Sequence, residues 1–235
     1  MLEVVNLKKT FDGSKYVLNN VSLDVKNNEI YGLVGLNGIG KTTLIKNIIC
    51  LMQPNSGSIK INGIENKHES AKKMFFYLPE KFQPSQYLKG REFLEIFLSF
   101  FDCKIEDEVI KNMCATVGLD YSALDRLTIK YSKGMGQKLG LISAFMSKAK
   151  LLILDEPMSG LDPQARIGVK KMMLEYKKNG GSIFFSSHIL SDIDEICDTI
   201  GVIHNGKMIF DGKSDQFKSV SGENDLEKAF LKAIS

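Results

Sequence analysis

The sequence predicts an α/β fold: a mostly parallel sheet, an N-terminal antiparallel β-subdomain, and an α-helical subdomain inserted in the middle. Three observations carry this prediction. The apolar run Ile30-Tyr31-Gly32-Leu33-Val34 leads into the glycine-rich stretch Gly35-Leu36-Asn37-Gly38-Ile39-Gly40-Lys41-Thr42-Thr43, after which Leu44, Ile45, Ile48, Ile49 and Met52 recur at helical spacing. Further short apolar runs at residues 74–78, 151–154 and 183–185 are separated by helical patterns, as buried strands of a parallel sheet are. Between the first two of these runs the pattern turns wholly helical.

In chain order, residues 2–7 read as a strand, and Val21-Ser22-Leu23-Asp24-Val25 alternates strictly, as a half-buried antiparallel strand does. Asn27-Asn28 turns the chain towards Ile30. Pro54 and Gly57 end the helix that follows Thr43. Ser58-Ile59-Lys60-Ile61 alternates again and stops at Asn62-Gly63, a hairpin signal. After residues 74–78 comes the breaker-rich Pro79-Glu80-Lys81-Phe82-Gln83-Pro84. Phe93, Leu94, Phe97, Leu98 and Phe101 form one helical stripe, and Ile105, Val109, Met113 and Val117 a second. Such a phenylalanine cluster reads as core or a partner groove before it reads as a cofactor box. Tyr131-Ser132-Lys133-Gly134-Met135-Gly136-Gln137 closes the insertion and opens a helix carrying Leu139, Ile142 and Phe145.

Leu151-Leu152-Ile153-Leu154-Asp155-Glu156 is then a buried strand ending in two carboxylates. Ser159-Gly160-Leu161-Asp162-Pro163 turns into a helix whose Met172 and Met173 are expected in the core. Ile183-Phe184-Phe185-Ser186-Ser187-His188 is a strand ending in a histidine, and Asn205-Gly206 sits between two runs as a hairpin tip. Asn224-Asp225-Leu226-Glu227 reads as a capping box opening a last helix with Leu226, Ala229, Phe230 and Ala233 on one face. The chain is expected to form one domain over residues 1–235. Residues 1–83 and 148–235 would build the core with its β-subdomain, and residues 84–147 the helical subdomain.

Composition narrows the class. With 235 residues, 43% hydrophobic and 25% charged, the chain is ordinary globular material and can bury a real core. A net charge of +3 gives no footing for nucleic acid. No apolar run approaches the ~18 residues needed to cross a bilayer, and charge enters the N-terminus too early for a signal peptide, so a soluble, cytosolic chain is expected. Cys50, Cys103, Cys114 and Cys197 have no metal-type spacing and read as reduced core residues.

The chemistry concentrates at the glycine-rich stretch, which marks a P-loop NTPase core. Gly35, Gly38 and Gly40 let the backbone around Asn37 turn its amides inward, and the helix that follows aims the positive end of its dipole at the same point. An anion belongs there. Lys41 would reach the terminal phosphates, Thr42 would offer its hydroxyl to Mg²⁺, and Thr43 could donate to the α-phosphate. At the end of its strand Asp155 can hold Mg²⁺ directly or through water, and Glu156 can orient an attacking water. Strand alternation implies that the two acids do different jobs. His188 stands at a third strand end.

These motifs, in this order and across essentially the whole chain, resemble the nucleotide-binding subunit of an ATP-binding-cassette (ABC) transporter. Residues 131–135 occupy the place of that family's signature motif, residues 151–156 resemble its Walker B segment, residues 159–162 its D-loop, and His188 its switch histidine. The resemblance implies that two such domains, identical or different, close face to face over ATP and Mg²⁺. Ser132 and Gly134 of one chain, with Asp162, would complete the site of the other, while Glu156, His188 and Lys41 do the catalytic work. It further implies a separate transmembrane subunit, a peripheral place on the cytoplasmic face of the membrane, and an aromatic residue stacked on adenine. Phe11 fits that place best, with Tyr16 as runner-up.

Two departures stand out. Glu80 replaces the family's Q-loop glutamine as a candidate metal contact, and the signature reads YSKGM in place of LSGGQ. Both, with Asp225-Leu226-Glu227-Lys228-Ala229-Phe230-Leu231, resemble the branch exporting drugs, lipids, polysaccharides and small peptides. The rivals are a soluble ATPase of this fold in translation or DNA maintenance, and an ATP-switch regulatory or immunity protein. The first usually needs two cassettes or long coiled coils, and intact Asp155, Glu156 and His188 argue against the second.

Overall fold

The computed structural model describes residues 1–104 and 106–235. The chain opens with β1 (Leu2–Thr10) and β2 (Tyr16–Val25), runs through β3 (Ile30–Val34) into α1 (Lys41–Ile48), and returns as β4 (Ser56–Ile61) and β5 (Ile64–Glu65). After the short α2 (Glu69–Lys72), β6 (Phe75–Leu78) leads to α3 (Gly90–Ser99), α4 (Asp107–Val117), two 3₁₀ turns and α5 (Lys133–Met146). There follow β7 (Leu151–Asp155), α6 (Pro163–Lys178), β8 (Ser182–Ser187), α7 (Leu190–Ile196), the hairpin β9 (Thr199–His204) and β10 (Lys207–Gly212), then α8 (Ser214–Ser221) and α9 (Leu226–Ile234).

Two sheets result. Strands β2-β1-β4-β5 pair antiparallel as the N-terminal sheet, and β10-β9-β3-β8-β7-β6 form the central sheet. In the central sheet β3 runs parallel to β8 and β9, and β7 to β6 and β8, while β10 joins antiparallel. Strand parity divides the core. Leu151 and Ile153 join Tyr31, Phe184 and the α1 residues Leu44, Ile45 and Ile48 under the N-terminal sheet. Leu152 and Leu154 face the other way, into the helices with Phe185, Leu139 and Ile142. Each such fully buried leucine contributes about 1.5–3 kcal/mol relative to exposure. Asp155 shares the parity of Leu151 and Ile153, so the sheet delivers it to the α1 side.

The phenylalanine stripe is core. Phe93, Leu94 and Leu98 are buried, and Phe97 and Phe101 pack on Phe76 of β6 with ring centroids 5.2 and 5.7 Å away. Met172 and Met173 are buried, and all four cysteines are free, Cys114 buried and the other three half-buried. Among the described residues no helix is long and apolar enough to cross a membrane.

Three local expectations shift. The buried face of α4 is Ile110, Cys114 and Val117: Val117 is buried and Met113 packs half-buried on the core as expected, while Val109 is 37% exposed and Ile110 and Cys114 fill the core beside it; Ile105 lies outside the described residues. Helix α1 ends at Ile48, one turn before Met52, where Asn66 Nδ2 donates to the carbonyls of Asn47 and Ile48 at 2.8 and 2.9 Å. The cap of α9 is Asp225 rather than Asn224: its carboxylate accepts from the Lys228 amide at 3.0 Å.

Candidate functional site

Strand β3 brings the chain to the carboxyl edge of the central sheet, where residues 35–40 turn back into α1. Gly40, the N-cap of α1, has φ +117°, and a Cβ there would meet the Val17 carbonyl at 3.1 Å. Gly38 is also left-handed, at φ +77°. These positions let the loop wrap a cavity of about 250 Å³ with Asn37, Gly38, Gly40, Lys41, Thr42 and Thr43 on one wall. Glu80, Glu156 and His188 form the other. The α1 dipole ends in this cavity and favours an anion there.

Lys41 is buried. Its Nζ donates to the Gly35 carbonyl at 2.6 Å and lies 3.2 Å from Glu156 Oε1. That approach is an ion pair without hydrogen-bond geometry, because Oε1 is buried and makes no hydrogen bond. Thr42 Oγ1 donates to Asp155 Oδ2 at 2.9 Å, and Ser186 Oγ donates to Asp155 Oδ1 at 2.6 Å. Desolvation is the main cause raising the Asp155 carboxyl above its usual value, opposed by these two hydroxyl bonds and reinforced by the charges of Glu156 and Glu80. Tyr77, half-buried on β6, is pushed up to about 12 by burial and by the Asp155 charge.

Glu156 leaves the strand with φ +48°. Such a left-handed residue costs of order 1–3 kcal/mol and persists only where its surroundings fix it. Here its amide donates to Ser186 Oγ at 3.0 Å and its carbonyl accepts from the Ser159 amide at 3.0 Å. The turn takes its carboxylate to Lys41 on one side and to His188 on the other, where Nδ1 lies 2.8 Å from Oε2. A carboxylate only accepts, so Nδ1 carries the proton of this contact.

The hard oxygen donors Thr42 and Asp155 meet at 2.9 Å beside the phosphate cradle, Thr42 lining the cavity and the buried Asp155 behind it. Magnesium takes one or two such protein oxygens, keeps waters and binds phosphate oxygens, so this pair fits it; Glu80 lines the same cavity from the β6 side. Among the described residues no group of three or more His, Cys, Asp and Glu could hold a metal by itself.

The other expected residues lie elsewhere. Phe11 and Tyr16 border an open cavity of about 710 Å³ that continues from Gly38 and Ile39 to the Asn205-Gly206 hairpin tip. Ser132 is the N-cap of α5, its hydroxyl accepting from the Met135 amide at 3.2 Å, and Gly134 lies in the next turn beside Gly160. Neither lines the Lys41 cavity of its own chain. Asp162 caps α6, accepting from the Ala165 amide at 2.8 Å, and pairs with Lys138 at 2.9 Å. Sequence reasoning missed Ser186, which joins Asp155 to Glu156. A polar Ser186-Ser187 pair closing an apolar strand was its only signal.

Residues 18–159 match the family model described as ABC transporter. An uncharacterized ABC transporter ATP-binding protein of Nostoc sp. (strain PCC 7120) is 36% identical over 85% of the chain, which spans 60% of that relative's own length. The lantibiotic transport ATP-binding protein SrtF of Streptococcus pyogenes is 33% identical over 100% of the chain and 97% of its own. Among solved structures, an ATP-binding subunit of an ABC transporter superposes with a TM-score of 0.86 at 31% identity, covering 99% of both chains. With its glycine-rich loop, its paired acids and its histidine gathered on one sheet edge, the chain belongs to the ABC transporter family.

Proposed function

We propose that this chain binds and hydrolyses Mg-ATP and drives export of a substrate through a separate transmembrane subunit, from the cytoplasmic face of the membrane. The observation that carries the reading is the hydrogen-bonded row Thr42, Asp155, Ser186, Glu156 and His188 along the Lys41 cavity. Bound Mg²⁺ would polarise the phosphoryl oxygens. Thr42 and Asp155 would hold it, with Glu80 alongside. The loop amides and Lys41 would cradle the β- and γ-phosphates. Glu156, oriented by His188, would take the proton of the attacking water, and His188 would keep the γ-phosphate in line. A second nucleotide-binding subunit, identical or related, would supply Ser132, Gly134 and Asp162 across a closed dimer. The name of the SrtF relative, which speaks of lantibiotic transport, supports a transport role.

Glu156→Gln is expected to keep ATP affinity while turnover falls by about 10²–10⁴-fold, the usual contribution of a general base. A normal rate in that variant would sink the assignment. Purification in mild detergent with co-expressed genomic neighbours tests the transport half: a polytopic membrane protein is expected to co-purify. Recovery of soluble partners or ribosomes alone would move the reading to a soluble ATPase of this fold.

A further inference from the structure

One buried ammonium outside the catalytic row ties three helices together. Lys138, on the second turn of α5, is 8% exposed, and its Nζ donates to the Gly118 carbonyl at 3.0 Å and to Asp162 Oδ2 at 2.9 Å. Gly118 is the left-handed C-cap of α4, so the cation sits on the negative end of that helix. The other oxygen of Asp162 caps α6. A single charge therefore closes the end of α4, holds the start of α6 and belongs to α5.

The same end of α5 is bolted to the segment after Glu156 at one more point. Buried Gln137 donates from Nε2 to the Pro157 carbonyl at 3.1 Å. Residues 157–162 are thus held to α5 at both ends, Pro157 by Gln137 and Asp162 by Lys138, and Glu156, whose left-handed backbone is held at its carbonyl by Ser159, opens that segment.

We propose that Lys138 is a positioning residue: its ammonium, shared between the end of α4 and Asp162, fixes residues 157–162 to the first turns of α5 and thereby holds Glu156 over Lys41. The consequence for turnover rests on the reading under Proposed function; the positioning itself does not. A movement of the α5 N-terminus, which carries Ser132, is transmitted to the Glu156 segment through this contact. A lysine-to-methionine change keeps the aliphatic stem and removes the charge, leaving the Gly118 carbonyl and Asp162 without their donor.

The test uses the full chain as wild type, Lys138→Met, Lys138→Arg and Asp162→Asn, read by amide hydrogen exchange and by ATP turnover. In Lys138→Met, exchange of residues 157–162 and of the first turn of α5 is expected to quicken at least about fivefold, with the central strands β3 and β8 unchanged. Its kcat is expected to fall about tenfold or more with KM for ATP within about twofold, and Lys138→Arg should restore both. In exchange, Asp162→Asn should match Lys138→Met, and the double variant should be no worse than either; turnover is read on the Lys138 variants alone, because Asp162 is also assigned to the partner's ATP site. Unchanged exchange at 157–162 overturns the proposal whatever the turnover. So does a loss that spreads to β3 and β8 and is not restored by arginine, since that is mere loss of stability. Local quickening with arginine rescue, in a chain whose wild type hydrolyses no ATP, upholds the positioning role and overturns the ATPase reading instead.

Discussion

Ser186 Oγ stands between Asp155, the last residue of β7, and Glu156 just beyond it, donating to Asp155 Oδ1 at 2.6 Å and accepting from the Glu156 amide at 3.0 Å. The hydroxyl uses its donor on the first acid and a lone pair on the backbone of the second. It thereby ties the Asp155 carboxylate to the backbone of Glu156. Strand β8 supplies it because Ser186 pairs in register with Asp155 across the parallel ladder.

Ser186→Ala should therefore cost more than a surface serine. It leaves a buried carboxylate oxygen and a buried left-handed amide without their partner, a loss of about 1–3 kcal/mol in unfolding free energy. Urea unfolding measures this directly. Turnover should fall in step, because the backbone of Glu156 loses one of the bonds that hold its turn. Wild-type stability together with wild-type turnover would show that the hydroxyl is a bystander.

Asp155 makes a prediction of opposite sign. Burial lifts its folded-state pKa above the ordinary 3.8, against the pull of the Thr42 and Ser186 hydroxyls. An acid raised in the folded state destabilises the fold once it is ionised. The penalty is absent below 3.8, develops as pH rises through the folded-state value, and stays constant above it. Asp155→Asn should accordingly raise the Tm of the nucleotide-free chain at pH 7 while abolishing Mg²⁺-dependent turnover. The Tm gap should narrow as pH is lowered towards 4. A variant less stable than wild type at pH 7 would mean that the two hydroxyl bonds outweigh desolvation.

What the sequence made legible follows from periodicity. Strands buried on both faces read as unbroken apolar runs, so β3, β6, β7 and β8 stood out; alternation does not reach Glu156, which leaves β7 with φ +48° and turns its carboxylate to Lys41. Phase within a helix was less legible: a stripe through Val109 and one through Ile110 both satisfy a 3.6-residue period, and only the packed structure chooses Ile110. Capping has the same ambiguity, since Asn224 and Asp225 are equally good caps and the choice falls to Asp225. The Ser186 bridge and the Lys138 junction were illegible because each joins residues far apart in sequence, and the left-handed turn at Glu156 because no glycine or asparagine marks it. The hydrogen bond from Lys138 to Asp162 spans 24 positions, and nothing local to either residue announces it.

Phe11 and Tyr16 pose the last question, because both border the open cavity beside Gly38 and Ile39. Phe11, in the turn between β1 and β2, is 65% exposed, against 45% for Tyr16, and carries Lys9 Nζ 5.7 Å above its ring. A large exposed aromatic beside a phosphate cradle has a face free for a base. Base stacking on an aromatic side chain is worth about 1–3 kcal/mol. Phe11→Ala should thus weaken ATP binding about 5-fold to 140-fold by calorimetry, since each 1.4 kcal/mol is about tenfold. Its affinity for inorganic tripolyphosphate, which has no base, should not change. Tyr16→Ala should leave both affinities near wild type. If Tyr16→Ala alone weakens ATP and spares tripolyphosphate, the stacking platform is Tyr16. If Phe11→Ala weakens both ligands equally, the residue supports the phosphate loop and not the base.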